Sequence, residues 1–97
     1  VAKFYLTNKA VSDLESIWIY TAYTWSEKQA DGYYFLLLDA CQELAGDPEK
    51  GKPYDVVEKD LLGLKAGQYI VFFRRLAKDE VEFVRILHNR MDLKSHL

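Results

Sequence analysis

The stretch Ala22-Tyr23-Thr24-Trp25-Ser26-Glu27-Lys28-Gln29-Ala30 decides how the first half of this chain folds. Ser26 and Gln29 stand three apart in a capping box, where the Ser oxygen takes a backbone N–H of a new helix and the Gln side chain can reach back to the cap. A helix therefore ends near Trp25 and another begins after Ser26. Trp25 and Ala30 flank the cap as a weak apolar staple.

Upstream, Val11, Leu14, Trp18, Thr21, Ala22 and Trp25 recur every three or four residues, with Ile17 at the margin of the stripe. This spacing predicts an amphipathic helix, entered from an alternating strand around Phe4 and Leu6 through the N-cap formers Thr7-Asn8. Downstream, Ala30, Tyr33, Tyr34, Leu37, Leu38, Cys41, Leu44 and Ala45 form a second stripe. It is expected to stop at a left-handed Gly46 before Asp47-Pro48. Two antiparallel helices joined by a tight turn must bury their stripes on another layer.

The second half supplies that layer. Residues 47 to 60 read as a surface connection with one helical turn at Val56-Val57. Leu61-Leu62-Gly63-Leu64, Tyr69 to Phe73 and Val81 to His88 read as strands separated by turns at Ala66-Gly67 and Lys78-Asp79. The expected fold is α+β in the order βααβββ, a helical hairpin on a small twisted antiparallel sheet, as a single domain over residues 1–97. If Leu76 opposes Val81, one face of the hairpin carries Tyr69, Val71, Phe73, Val84, Ile86 and His88, with Arg75 opposite Glu82. The other face carries Ile70, Phe72, Phe83 and Leu87 with Arg74 and Arg85, and is expected to meet solvent or a partner because unpaired buried cations are costly. A slip of one residue exchanges the two faces.

Composition narrows the function. The 97 residues are 49% hydrophobic and 29% charged, with 13 Lys and Arg against 15 Asp and Glu for a net charge of −2. That balance suits a packed domain and opposes direct nucleic-acid binding, which draws on released counterions. Cys41 is the one cysteine, and no run approaches the roughly 20 apolar residues that span a bilayer, so a cytoplasmic protein without membrane contact is expected. No metal-ligand spacing, nucleophile elbow or phosphate-binding glycine loop occurs, so neither metal nor cofactor is expected. Asp13 with Glu15, and Asp79 with Glu80, read as solvated charges. Trp18, Trp25, Tyr33 and Tyr34 read as core by their helical spacing, against a base-stacking platform. Metal-free RNA cleavage by His88 with Arg74, Arg85 and Arg90 is the chemical alternative, opposed by the acidic balance.

The chain also closes on Arg85-Ile86-Leu87-His88-Asn89-Arg90-Met91-Asp92. Together with Leu6-Thr7, Lys9-Ala10, Asp13-Leu14, Ile17-Trp18-x-Tyr20, Trp25, Gln29-Ala30, Tyr33, Leu44-Ala45, Asp47-Pro48, Gly51-Lys52-Pro53, Gly67 and Ile70-Val71-Phe72, this motif resembles the ParE branch of the RelE/ParE toxin superfamily. The resemblance covers nearly the whole chain and implies the same βααβββ order. It further implies a toxin of a type II toxin–antitoxin system that binds DNA gyrase and stabilises its cleaved-DNA complex. A cognate ParD-type antitoxin would neutralise it in a hetero-oligomer. The alternatives are a RelE-like ribosome-dependent RNase, or a relative that only binds its antitoxin. On this reading no residue is catalytic. Trp18, Phe72, Arg74, Phe83 and Arg85 are expected to meet the antitoxin, and His88, Arg90 and Asp92 the gyrase. One departure stands out: relatives carry a Gly-x-Arg where this chain has Asp60-Leu61-Leu62, so that arginine's role does not transfer.

Overall fold

The computed structural model describes residues 3–77 and 80–90. Strand β1 (Lys3–Leu6) leads into helix α1 (Asn8–Thr24) and helix α2 (Glu27–Gly46). A 3-10 turn (Pro48–Lys50), a two-residue strand β2 (Lys52–Pro53) and strands β3 (Leu62–Ala66), β4 (Tyr69–Ala77) and β5 (Glu80–His88) follow. The sheet has five strands in the order β1-β5-β4-β3-β2. β3, β4 and β5 form the expected antiparallel meander, but β1 runs parallel along the outer edge of β5. The sheet is therefore mixed.

Local signals explain both helix starts. The Ser26 hydroxyl oxygen accepts the Gln29 N–H at 3.1 Å, as the capping box requires. Thr7 does more than cap α1. Its hydroxyl oxygen accepts the Ala10 N–H at 3.1 Å and donates to the Val84 carbonyl at 2.9 Å, while its own N–H donates to the Phe83 carbonyl at 3.0 Å. One residue thus ties β1, β5 and α1 together. At its far end α2 runs through Gly46 without a left-handed turn, and Asp47 closes it by donating its N–H to the Glu43 carbonyl.

The Val84 carbonyl is available because the β4–β5 ladder slips there. Tyr69 to Phe72 pair with His88 to Arg85 in the expected register, but Phe73 then pairs with Phe83. Val84 is left over as a bulge, and a single extra residue reverses the parity of the pairs that follow, until a second irregularity at Leu76 returns Ala77 to Glu80 in the expected register. Phe83 consequently faces the helices, fully buried, with its ring edge-on to Phe4 at 5.5 Å and tilted against Phe73 at 5.7 Å. Val84 moves to the opposite face. Arg74, not Arg75, stands opposite Glu82, and Val81 opposes Arg75 rather than Leu76.

The main core lies between helices and sheet: Leu14, Ile17, Leu37, Cys41, Leu44 and Ala45 against Val71, Phe73, Val81, Phe83 and Ile86. α2 inserts the stripe its periodicity predicts. α1 is rotated from expectation, since its buried residues are Ala10, Leu14, Ile17 and Thr21, with Val11 exposed and Trp25 70% exposed. Ile17 is core, not margin. The small Ala10 and Thr21 let this helix lie close to its neighbours, and the Thr21 hydroxyl is satisfied by the Ile17 carbonyl at 2.8 Å. Trp18 sits half-buried on the flank toward α2, donating its indole N–H to Asp31 at 2.9 Å.

The far face of the sheet is not open. Residues 54–61 fold across it, placing Leu61 over Ile70, Phe72 and Leu87 with Tyr54, Val57 and Val84 around them. Tyr54 stands edge-on to Phe72 at 5.2 Å. Gly63 permits this approach, because a Cβ there would come within 2.8 Å of the Tyr54 ring. Asp60 ends the connection at φ 62°, in the left-handed region, its N–H donating to the Asp55 carboxylate at 3.1 Å. Leu62 packs half-buried on the main core.

Candidate partner-binding site

Two of the sheet's arginines, Arg74 and Arg85, are paired with this chain's own carboxylates. Arg85 donates from Nε and an Nη to the two oxygens of Asp13 at 2.8 and 3.0 Å, and the same carboxylate accepts the Ile86 N–H at 2.9 Å. A bidentate fork of this kind is the strongest geometry available to the pair. Burial leaves the Arg85 and Asp13 side chains 19% and 15% exposed. The Asp13 hydrogen bond, opposed by burial, raises the Arg85 guanidinium above its ordinary value and keeps it charged. Asp13 is thus a structural residue that caps the β5 edge from α1, not a solvated charge. Arg74 pairs with Glu58 of the covering connection.

Burial corrects two of the expected antitoxin contacts. Phe72 lies beneath Tyr54 and Leu61, and Phe83 lies in the main core; both are fully buried. Burial satisfied the apolar demand of these rings once the bulge turned Phe83 inward and residues 54–61 covered Phe72. Arg74 and Arg85, expected to receive a partner's carboxylates, are paired in this chain with Glu58 and Asp13. Trp18 remains at the surface only in part, with its N–H engaged.

The surface that is unspent lies elsewhere, on the outward side of the helices and at the end of the sheet. Ile19, Tyr20, Tyr23 and Trp25 of the first helix and its cap, and Phe35 and Leu36 of α2, are exposed, Tyr23 to 91%. Single exposed apolar side chains are ordinary, but such a concentration on one layer marks an interaction surface.

Where the helix joint meets the sheet, an aromatic row is built. Tyr33 of α2 stands edge-on to Tyr69 of β4 at 5.4 Å, and Tyr69 edge-on to His88 of β5 at 5.3 Å. The row is held from behind. The Tyr33 hydroxyl accepts the Gln68 N–H at 2.6 Å, and Asn89 donates its N–H to the Gln68 carbonyl at 2.9 Å. Gly67 makes the turn at φ 61°, and a Cβ there would fall 2.2 Å from the Tyr33 oxygen. Burial, with Tyr33 and Tyr20 nearby, raises the Tyr69 phenol above its ordinary value. The three rings enclose one side of a groove of about 660 Å³, closed on the other by Trp25, Lys28 and Gln29. A second groove of about 410 Å³ continues past Tyr20, Tyr69 and His88 along Asp13, Ser16 and Ile86.

His88 thus lines both grooves. Its Nδ1 accepts the Arg90 N–H at 3.1 Å, and Arg90 is exposed. Asp92 lies outside the described residues. Among the described residues no three His, Cys, Asp or Glu side chains gather as a metal site.

The match to known proteins follows the same lines. Residues 4–93 match the family model described as the ParE toxin of a type II toxin–antitoxin system, parDE. The chain belongs to the ParE toxin family. Toxin ParE1 of Mycobacterium tuberculosis is 31% identical over 96 residues, spanning 99% of this chain and 98% of that protein. Toxin ParE1 of Caulobacter vibrioides is 30% identical over 92 residues, spanning 95% and 94%. In fold, the chain superposes with TM-score 0.78 on a chain of the chromosomal ParDE system from P. aeruginosa, at 17% identity over 90% of this chain and 95% of that one.

Among the residues at the groove, His88 also stands in the closing motif of the sequence. Tyr20, Trp25, Lys28, Tyr33 and Tyr69 were not assigned to any site. The register that pairs Tyr69 with His88 contained the signal for one of them, and the position of Trp25 directly before a capping Ser, outside both helices, contained it for another.

Proposed function

We propose that this ParE-family toxin acts by binding DNA gyrase and holding it on cleaved DNA, so that the breaks persist, and that it performs no bond-breaking of its own. A cognate ParD-type antitoxin neutralises it by folding an initially disordered segment over the outward side of the helices, with Ile19, Tyr23 and Phe35 as its apolar footing and Trp18 at the rim. His88 and Arg90 belong to the gyrase-facing end, with Asp92 following them in sequence.

One observation carries this reading. The chain pairs Arg85 and Arg74 internally with Asp13 and Glu58, yet leaves aromatic and aliphatic side chains of the helices exposed. Such an inventory suits a protein partner: interface anchors are Trp, Tyr and other large side chains seated in pockets. It suits RNA poorly, since a scissile phosphate needs convergent cations and Arg74 and Arg85, two of the cations that could supply them, are paired with carboxylates.

The test uses purified chain and purified gyrase. Supercoiling should fall and linear, gyrase-bound DNA accumulate as the chain is added, while messenger RNA in a translation extract stays intact. Cut messenger RNA with unaffected gyrase would move the protein to the RelE-like alternative. Inactivity in both assays would leave a chain that only binds its antitoxin.

A further inference from the structure

We infer that the groove between Trp25, Lys28 and the Tyr33-Tyr69-His88 row is the seat of the toxin's target, and that it takes a large apolar side chain from an acidic segment of gyrase. This rests on the reading above and deepens it, because it extends the target contact from the end of β5 to the joint of the helical hairpin.

Shape and rigidity come first. The groove is open and about 660 Å³, ample for one or two side chains of a partner. Its sheet side is held by the Tyr33 and Asn89 hydrogen bonds to the Gly67–Gln68 turn, so it is formed before a partner arrives and little ordering cost falls on binding. Tyr20 and Trp25 contribute large amphipathic surfaces, and Trp25 is exposed although its neighbours Thr21 and Ala30 are buried. Trp and Tyr are the residues whose truncation most often costs affinity at interfaces.

Charge selects the occupant. Among the described residues that line the groove, Lys28 is the one Lys or Arg, and there is no Asp or Glu. Arg90 follows two residues after His88 at the same end, its backbone N–H bonded to the His88 ring. In the adjoining groove Asp13 and Arg85 neutralise each other. A segment carrying Asp or Glu beside its apolar anchor therefore finds Lys28 in the groove and, among the described residues that line it, no opposing carboxylate.

The experiment measures the toxin concentration that gives half-maximal accumulation of cleaved DNA with purified gyrase, for wild type, Trp25→Ala, Tyr20→Ala, Lys28→Glu and Val56→Ser, each shown to be folded by its thermal melt. Trp25→Ala and Tyr20→Ala should each raise that concentration at least about tenfold, the scale of an interface anchor. Lys28→Glu should raise it several-fold at low salt and much less at high salt, because exposed charges are screened. Val56→Ser, exposed on the opposite connection, should match wild type. Unchanged potency in the first three variants would overturn the inference while leaving the gyrase reading intact. If instead they lose affinity for a ParD-type antitoxin and keep full potency on gyrase, the groove belongs to the antitoxin and the inference fails. A wild-type chain inactive on gyrase would remove the reading itself.

Discussion

The two helices of this protein use their apolar residues in opposite ways. α2 turns Ala30, Leu37, Ala40, Cys41, Leu44 and Ala45 inward, so the greater part of the helical contribution to the core comes from it. α1 buries only Ala10, Leu14, Ile17 and Thr21, two of them small, and leaves Val11, Ile19, Tyr20 and Tyr23 exposed. Besides packing, one ionic contact, Asp13 to Arg85 and the Ile86 N–H, ties it to β5. A helix that is richer in large side chains outside than inside is being used as a surface. Hydrophobicity alone does not distinguish the two uses, whereas burial does.

Substitution should separate the helices most sharply in the core. Leu37→Ala, at a fully buried α2 position, should cost about 3 to 4 kcal/mol in chemical denaturation, from lost transfer energy and the cavity left behind. A loss below about 1 kcal/mol would mean that α2 does not anchor the core.

Next comes the ionic clamp of α1. Asp13→Ala removes the carboxylate from Arg85 and from the Ile86 N–H and should cost about 2 to 3 kcal/mol. An unchanged melting temperature would demote the clamp to a surface pair.

An effect that is smaller per pH unit distinguishes α2 by titration. Burial pushes the Cys41 thiol up from 9.0 to about 12, so in the folded chain it holds its proton where the unfolded chain has lost it. Between pH 9 and pH 12 the unfolded state binds fewer protons at this group, and stability must fall as pH rises, by up to about 1.4 kcal/mol per pH unit. Below pH 9 the contribution is flat. Comparing alkaline denaturation of wild type with Cys41→Ala isolates this slope from the tyrosines and lysines; equal slopes would show that the thiol is not sequestered.

The smallest effect is expected outside. Tyr23→Ser should change stability by no more than about 0.5 kcal/mol, the usual range for a surface site. A loss of 2 kcal/mol would mean that the outer side of α1 supports the fold after all.

How much of this was visible in the sequence follows from the range of each interaction. The Ser26 cap and the α2 stripe are local, involving residues three or four apart, and both were legible. The β4–β5 pairing was legible up to Phe72 and Arg85, where each strand alternates regularly. The bulge at Val84 was not, because a leftover residue leaves no trace in the hydrophobic pattern and yet reverses which ring faces the helices. The Asp13–Arg85 contact joins residues 72 apart, so Asp13 read as an ordinary helix-surface charge and Arg85 as an available cation. Trp18 and Trp25 read as core because their spacing fits a helix face; the fold places them at the flank and the cap instead, where an indole can keep its N–H in reach of polar partners. The groove inherited these difficulties, drawing Tyr20, Trp25, Tyr33, Tyr69 and His88 from four separate parts of the chain.

The claim that the outward side of the first helix and its cap serves a partner is tested most directly by Trp25 fluorescence. In a Trp18→Phe background Trp25 is the one indole, exposed in the free toxin. On titration with purified gyrase its emission maximum should shift to shorter wavelength, over the same concentration range in which cleaved DNA accumulates. Emission that stays at the free-toxin wavelength while cleaved DNA accumulates in full would contradict the account.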